Sequence, residues 1–260
     1  EDGAGQDVDT AGRVAHDRRL DARRLPAEQQ AREVAAVAAD VVERAKSSII
    51  DTIAATAFGA DFPWSKIIID YVRKTSAPGK ATIWGTPLRV QAPSAALANG
   101  ALAHAFELDC AYHPSVGAQP GAGLTSPGLA VAQELGKSGK DLITAVVAAS
   151  EVMYRIGDAG KQSIEKLGFH SPGLLGVLGG AVVAGRLMGL DIERMTNALG
   201  VAGSLCSGLL EFSKSGGGMV KRLHLGQAAE SGVKAAALAH AGLTGPDTVL
   251  DGKFGFLAVY

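Results

Sequence analysis

The stretch from Phe169 to Leu190 constrains the fold more than any other part of the chain. Apart from His170, Ser171 and Arg186 it is apolar, and Gly173, Gly176, Gly179, Gly180, Gly185 and Gly189 are strewn through it. A helix that is apolar on every face has to be buried on every face. A bilayer can do that, but a spanning helix typically needs about 20 apolar residues with no charge inside, and Arg186 falls within this one. Glycines four residues apart, such as Gly176 and Gly180, let helix backbones approach closely because no side chain stands between them. The reading is a helix packed tightly inside a soluble helical core, with no membrane partner.

The rest of the chain agrees with that setting. Val42, Ala45, Ile49, Ile53 and Ala57 recur at helical spacing, with Gly59 as a stop. Helical character continues at Ile67 to Lys74 and at Ser94 to Leu108. Further helices are expected at 125–136, 141–156, 172–188, 191–199, 201–213 and 219–241. Asp141 and Asp191 are candidate N-caps, and Gly136, Gly157, Gly189 and Gly200 candidate C-terminal stops. Only Ala81-Thr82-Ile83-Trp84, bracketed by Pro78-Gly79 and Pro87, has β character, suited to an edge hairpin or an extended loop. Pro114, Gly117, Pro120 and Gly121 mark a loop between Cys110 and Gly123. Strand and helix do not alternate, so the fold class is mainly α, a multi-helix bundle. Residues 1–35 mix both charges with few large apolar side chains and contain Pro26, and read as an arm preceding a helical domain at 36–260.

Charge and motifs exclude several functions. With 25 basic against 26 acidic residues and a net charge of -1, no global field draws in nucleic acid. Two cysteines, Cys110 and Cys206, make neither a disulfide framework nor a zinc cluster, and no metal is expected. The opening Glu1-Asp2-Gly3 has no basic or apolar leader character, so a cytoplasmic setting is the expectation. Gly136-Lys137-Ser138 has Val131 where a phosphate-binding loop needs glycine, and no Gly-x-Ser-x-Gly or His-Glu-x-x-His occurs. No cofactor is expected.

Three polar clusters stand against the apolar background. His104 to Ser115 gathers Glu107, Asp109, Tyr112 and His113 where a helix gives way to a loop. Such mixtures shift one another's proton affinities and do acid/base work, although a solvated helix end has the same composition. His170 immediately precedes a helix start, where free backbone N–H groups can hold an anion, and it is a candidate acid/base group or a structural histidine. Gly216-Gly217-Gly218 leads into Lys221, Arg222 and His224. On a helix Lys221 and His224 share a face while Arg222 points about a quarter turn away, an arrangement suited to a substrate with several carboxylates.

The order and wording of these clusters resemble the MmgE/PrpD family over roughly residues 40 to 257. The resemblance runs through Val42-Glu43-Arg44-Ala45-Lys46, Ile50-Asp51-Thr52, Asn99 to Asp109, Gly168-Phe169-His170, Ala198 to Ser204, Lys221 to Gly226 and Thr244-Gly245-Pro246. It implies an all-α large domain of a homodimer, normally joined to a smaller lid. It also implies a metal-free, cofactor-independent lyase or isomerase that moves a proton beside a carboxylate of a small polycarboxylate. Carried over residue by residue, His170 becomes the acid/base group, Lys221 the holder of a substrate carboxylate, and Arg222 and His224 its supports, while Asp109 and Glu107 fall in the family's acidic segment. Tyr112, His113 and Gln119 are further candidate substrate-binding residues.

The chain also departs from the pattern. Glu107-Leu108-Asp109-Cys110-Ala111 stands where the family commonly has Asp-Phe-Asp-Asp-Thr, and Gln119-Pro120 where it has His-Pro. A glutamine does not shuttle protons near neutral pH. The chain reaches Tyr260 about where the family begins its lid, so the lid is expected to be absent, with a separate lid-bearing chain as a candidate partner. Two rival readings follow: a binding or scaffold subunit, or a pocket redirected to the rearrangement or cyclisation of another metabolite.

Overall fold

The computed structural model describes residues 37–115, 117–214 and 218–260. The arm expected at 1–35 lies outside the described residues, as do Gly216 and Gly217 of the glycine run. The described chain is mainly α, as expected: α1 (Ala39–Gly59), α2 (Pro63–Thr75), α3 (Ala92–Ala103), α4 (Ser126–Leu135), α5 (Gly139–Gly160), α6 (Ser163–Lys166), α7 (Ser171–Met188), α8 (Ile192–Leu205), α9 (Val220–His240) and α10 (Phe256–Val259). A π-helical turn, Gly121–Thr125, leads into α4, and a 3₁₀ turn, Leu210–Ser213, precedes α9.

The glycine-rich segment forms α7 at the centre of this bundle. It is long and apolar enough to cross a membrane, yet 89% of it is buried inside the protein. It packs against α5, α9, α8 and α4, and α9 in turn packs against α3. Glycine sets the α7–α9 crossing, since a Cβ on Gly232 would come within 2.6 Å of the Gly180 carbonyl carbon. A C-terminal stop falls where expected, with Gly189 left-handed at φ 75° after α7. The β-prone run forms an antiparallel hairpin of β1 (Pro78–Thr82) and β2 (Arg89–Val90). Buried Asn99 of α3 pins it, donating to the Thr82 carbonyl at 2.9 Å and accepting from the Trp84 N–H at 3.0 Å.

Several expected boundaries need correction. The buried stripe of α1 is Ala45, Ile49, Thr52, Ala55, Thr56 and Gly59, whereas Ile53 and Ala57 face out. Two threonines are accepted inside because each hydroxyl donates to a carbonyl one turn back, Thr52 to Ser48 at 2.7 Å and Thr56 to Thr52 at 2.6 Å. Helix α3 ends at Ala103 rather than Leu108, because the chain turns through His104 and Glu107 is left-handed at φ 57°. Ser138 caps α5, and Asp141 completes its capping box from the third helical position. Gly157 and Gly200 stop nothing: they lie inside α5 and α8 where a Cβ would strike Ser115 and the Gly245–Pro246 backbone. Consequently 192–205 is one helix, and 206–209 leaves it instead of continuing the helix expected over 201–213.

Candidate active site

Three histidines from separate parts of the chain meet at one end of the bundle. His170 occupies the N-cap position of α7, its backbone N–H donating to the Gly208 carbonyl at 2.9 Å. A further bond from Leu210 N–H to the Gly168 carbonyl, at 2.8 Å, zips the strand before α7 to the segment before the 3₁₀ turn. His224 projects from the first turns of α9, and its Nδ1 lies 3.1 Å from Nδ1 of His170. Gly208, at φ 130°, lies under the His224 ring, where a Cβ would be 3.3 Å from Nδ1. His104 closes α3 with its ring centre 6.2 Å from that of His170. Phe212 ties the group together: its ring centre is 5.0 Å from that of His170, 5.7 Å from that of His224 and 5.5 Å from Nζ of Lys221.

The electrostatics divide these groups. Burial, followed by the charges of His224, His104 and Lys221, pushes the His170 imidazole down to about 3, so the ring is neutral at neutral pH. Burial and then His104 lower His224 as well. Their Nδ1···Nδ1 contact requires one ring to donate and the other to accept, so the two neutral rings are opposite tautomers. Lys221 Nζ pairs with Oε2 of Glu107 at 2.5 Å. Burial raises the Glu107 carboxyl, but the hydrogen bond and charge of Lys221 outweigh it, and the group sits below its ordinary value.

The remaining candidate residues separate. Arg222 does not face the imidazoles: its Nε donates to the Ala105 carbonyl at 3.1 Å and its guanidinium lies 4.9 Å over Trp64, bracing the turn that carries Glu107. Asp109 is buried against His104, Oδ1 to Nδ1 at 2.8 Å. Gln119 is half-buried with Oε1 unpaired, two residues beyond Gly117, which lies against Ser171 beside His170. Tyr112 stacks on Tyr154 with ring centres 3.9 Å apart, in a separate cavity of about 1000 Å³ that Ser48, Asp51 and Cys110 also line. His113 is exposed. Sequence reasoning did not select His104, whose position five residues before Asp109 was the available signal, or Phe212, which had none. Among the described residues, no three His, Cys, Asp or Glu side chains are grouped to hold a metal ion.

The family model of the MmgE/PrpD N-terminal domain matches residues 30–260. The chain belongs to the MmgE/PrpD family. Among the relatives of this MmgE/PrpD chain, a cis-aconitate decarboxylase of Aspergillus terreus is 35% identical over 86% of the chain and 46% of its own length. The cis-aconitate decarboxylase of Homo sapiens is 32% identical over 85% of the chain and 46% of its own length. A cis-aconitate decarboxylase-like protein, oryM, of Aspergillus oryzae is 31% identical over 86% and 48%. The MmgE/PrpD chain therefore spans about half the length of the curated relatives it matches.

Proposed function

We propose that this domain carries the acid/base and anion-holding part of a cofactor-independent lyase site for a small polycarboxylate, with decarboxylation as the favoured reaction. The observation that supports it is the gathering of His170, His224 and Lys221 around Phe212. The names of the decarboxylase relatives favour loss of carbon dioxide over loss of water or epimerisation.

Lys221 is the anchor. Its ammonium pairs with Glu107, so a substrate carboxylate replaces or shares one negative partner rather than meeting an unpaired cation. Burial keeps His170 neutral at neutral pH, and a carboxylate bound beside it favours the protonated ring, the proton coming from solvent. In decarboxylation the carbon–carboxylate bond breaks, carbon dioxide leaves, and the electron pair left on carbon takes the imidazolium proton, restoring the neutral ring. Dehydration or epimerisation begins instead with the neutral ring taking a C–H proton. In each case the imidazole acts at the reacting carbon and the ammonium at a carboxylate that survives.

Kinetics on cis-aconitate separate the two roles. His170→Ala is expected to lower kcat by about 10²- to 10⁴-fold, the usual contribution of a general acid or base. Lys221→Ala is expected to raise KM by about 10- to 100-fold, as for loss of a hydrogen bond to a charged group. Unchanged constants in both variants refute the reading.

A further inference from the structure

His104 and Asp109 form a fully buried side-chain pair within the site. Both side chains have 0% exposure, and Nδ1 of His104 is 2.8 Å from Oδ1 of Asp109. A structural histidine at such depth normally has both ring nitrogens satisfied, because an unpaired buried polar atom forfeits its bond to water without gaining one in the protein. Here neither Nε2 of His104 nor Oδ2 of Asp109 has a protein partner. Asp109 fixes the ring with its proton on Nδ1, leaves the Nε2 lone pair available, and stabilises the ring when Nε2 is protonated; this is how a carboxylate orients a catalytic imidazole. The ring stands 6.2 Å from His170, on the turn whose Glu107 holds Lys221. No hydrogen bond joins the two rings, and their proximity puts both within reach of one bound molecule.

We propose that His104, oriented by Asp109, is a second acid/base group that contacts substrate and exchanges a proton with it through Nε2. The proposal rests on the lyase reading above and goes beyond it by giving the site two proton-handling imidazoles. His170 donates to or accepts from the reacting carbon. In decarboxylation Nε2 of His104 takes a proton from solvent, gives it to the carboxylate oxygen on which charge gathers as carbon dioxide leaves, and takes it back when His170 protonates carbon, so that His104 ends the cycle as it began it.

The test uses the full-length protein and cis-aconitate. In heavy water, His104→Gln is expected to lower turnover and C–H exchange by about 10²- to 10⁴-fold with KM within a few-fold, while circular dichroism shows a retained helical fold. Independently of activity, cis-aconitate is expected to shift the ¹⁵N resonance of His104 Nε2 in the wild-type protein, which covers the case of a variant that does not fold. A wild type that turns over, loses turnover in His170→Gln and keeps it in a folded His104→Gln overturns the role of His104 alone. So does a titration in which only His170 moves. A wild type with no exchange and no shifted histidine overturns the lyase reading and this proposal together.

Discussion

Burying an imidazole next to two others has a consequence for stability that is independent of substrate. His170 titrates near 6.5 in an unfolded chain and is pushed down to about 3 in the fold. Between those values the unfolded chain binds a proton that the native state does not, so stability falls as the pH drops through this window, by at most about 1.4 kcal/mol per unit. His170→Gln, which loses the ring's contacts with His224 and Phe212, should lower stability at pH 7, and removal of the shifted group should flatten the decline toward acid, leaving the slope contributed by His224 and by lowered carboxyls such as Glu107. Urea denaturation at a series of pH values measures both, and parallel curves for the two proteins would refute it. At this scale the sequence exposed the candidate site only in part. His170 and Lys221 were legible because each stands in a recognisable phrase of the chain. His104 stood in such a phrase too, but its meaning came from a contact with Asp109 across a turn that the expected longer helix would have prevented.

Elements were legible where periodicity was strong and misread where glycine had two uses. Gly189 ends α7, whereas Gly157 and Gly200 continue their helices because neighbouring atoms leave no space for a Cβ. Composition cannot tell a stop from a close approach, since both need the smallest residue. The α7–α9 crossing tests the distinction. A methyl group on Gly232 would meet Gly180 and Ala181 backbone atoms at 2.6 to 2.7 Å, and backbone cannot rotate away as a side chain can. Gly232→Ala is expected to destabilise by about 1–3 kcal/mol or more through overpacking. Gly139→Ala, at the first turn of α5 with nothing within 4 Å, is expected to be neutral or stabilising by up to about 1 kcal/mol. Thermal denaturation of the two variants compares them directly; equal effects would show that the crossing tolerates separation.

Across the whole described molecule, the site lies where the most and least secured parts of the chain meet. Helix α7 is enclosed by four others, and its amides should open only with global unfolding. The segment from Cys206 to Ser213 is attached beside it by the bridge of Phe169 with Leu209, made by the bonds His170 N–H to Gly208 and Leu210 N–H to Gly168, and by the Cys206 thiol donating to the Leu174 carbonyl at 3.5 Å. That segment nevertheless supplies Phe212, the ring shared by His170, His224 and Lys221. Nothing in its sequence signals this, because the contact depends on how an extended stretch folds back over a distant helix start. Hydrogen exchange should follow the same division, with slowest exchange in α7 and the adjoining face of α9 and fast exchange at 206–213. A ligand held by Lys221 and the imidazoles that also rests on Phe212 would stabilise the placement of this segment. At roughly a hundred times its Kd, the linkage is worth about 2.7 kcal/mol, which slows exchange at 206–213 by about 100-fold while leaving the centre of α7 much less affected. Cis-aconitate that slowed exchange elsewhere but not at 206–213 would show that Phe212 is not part of the binding surface.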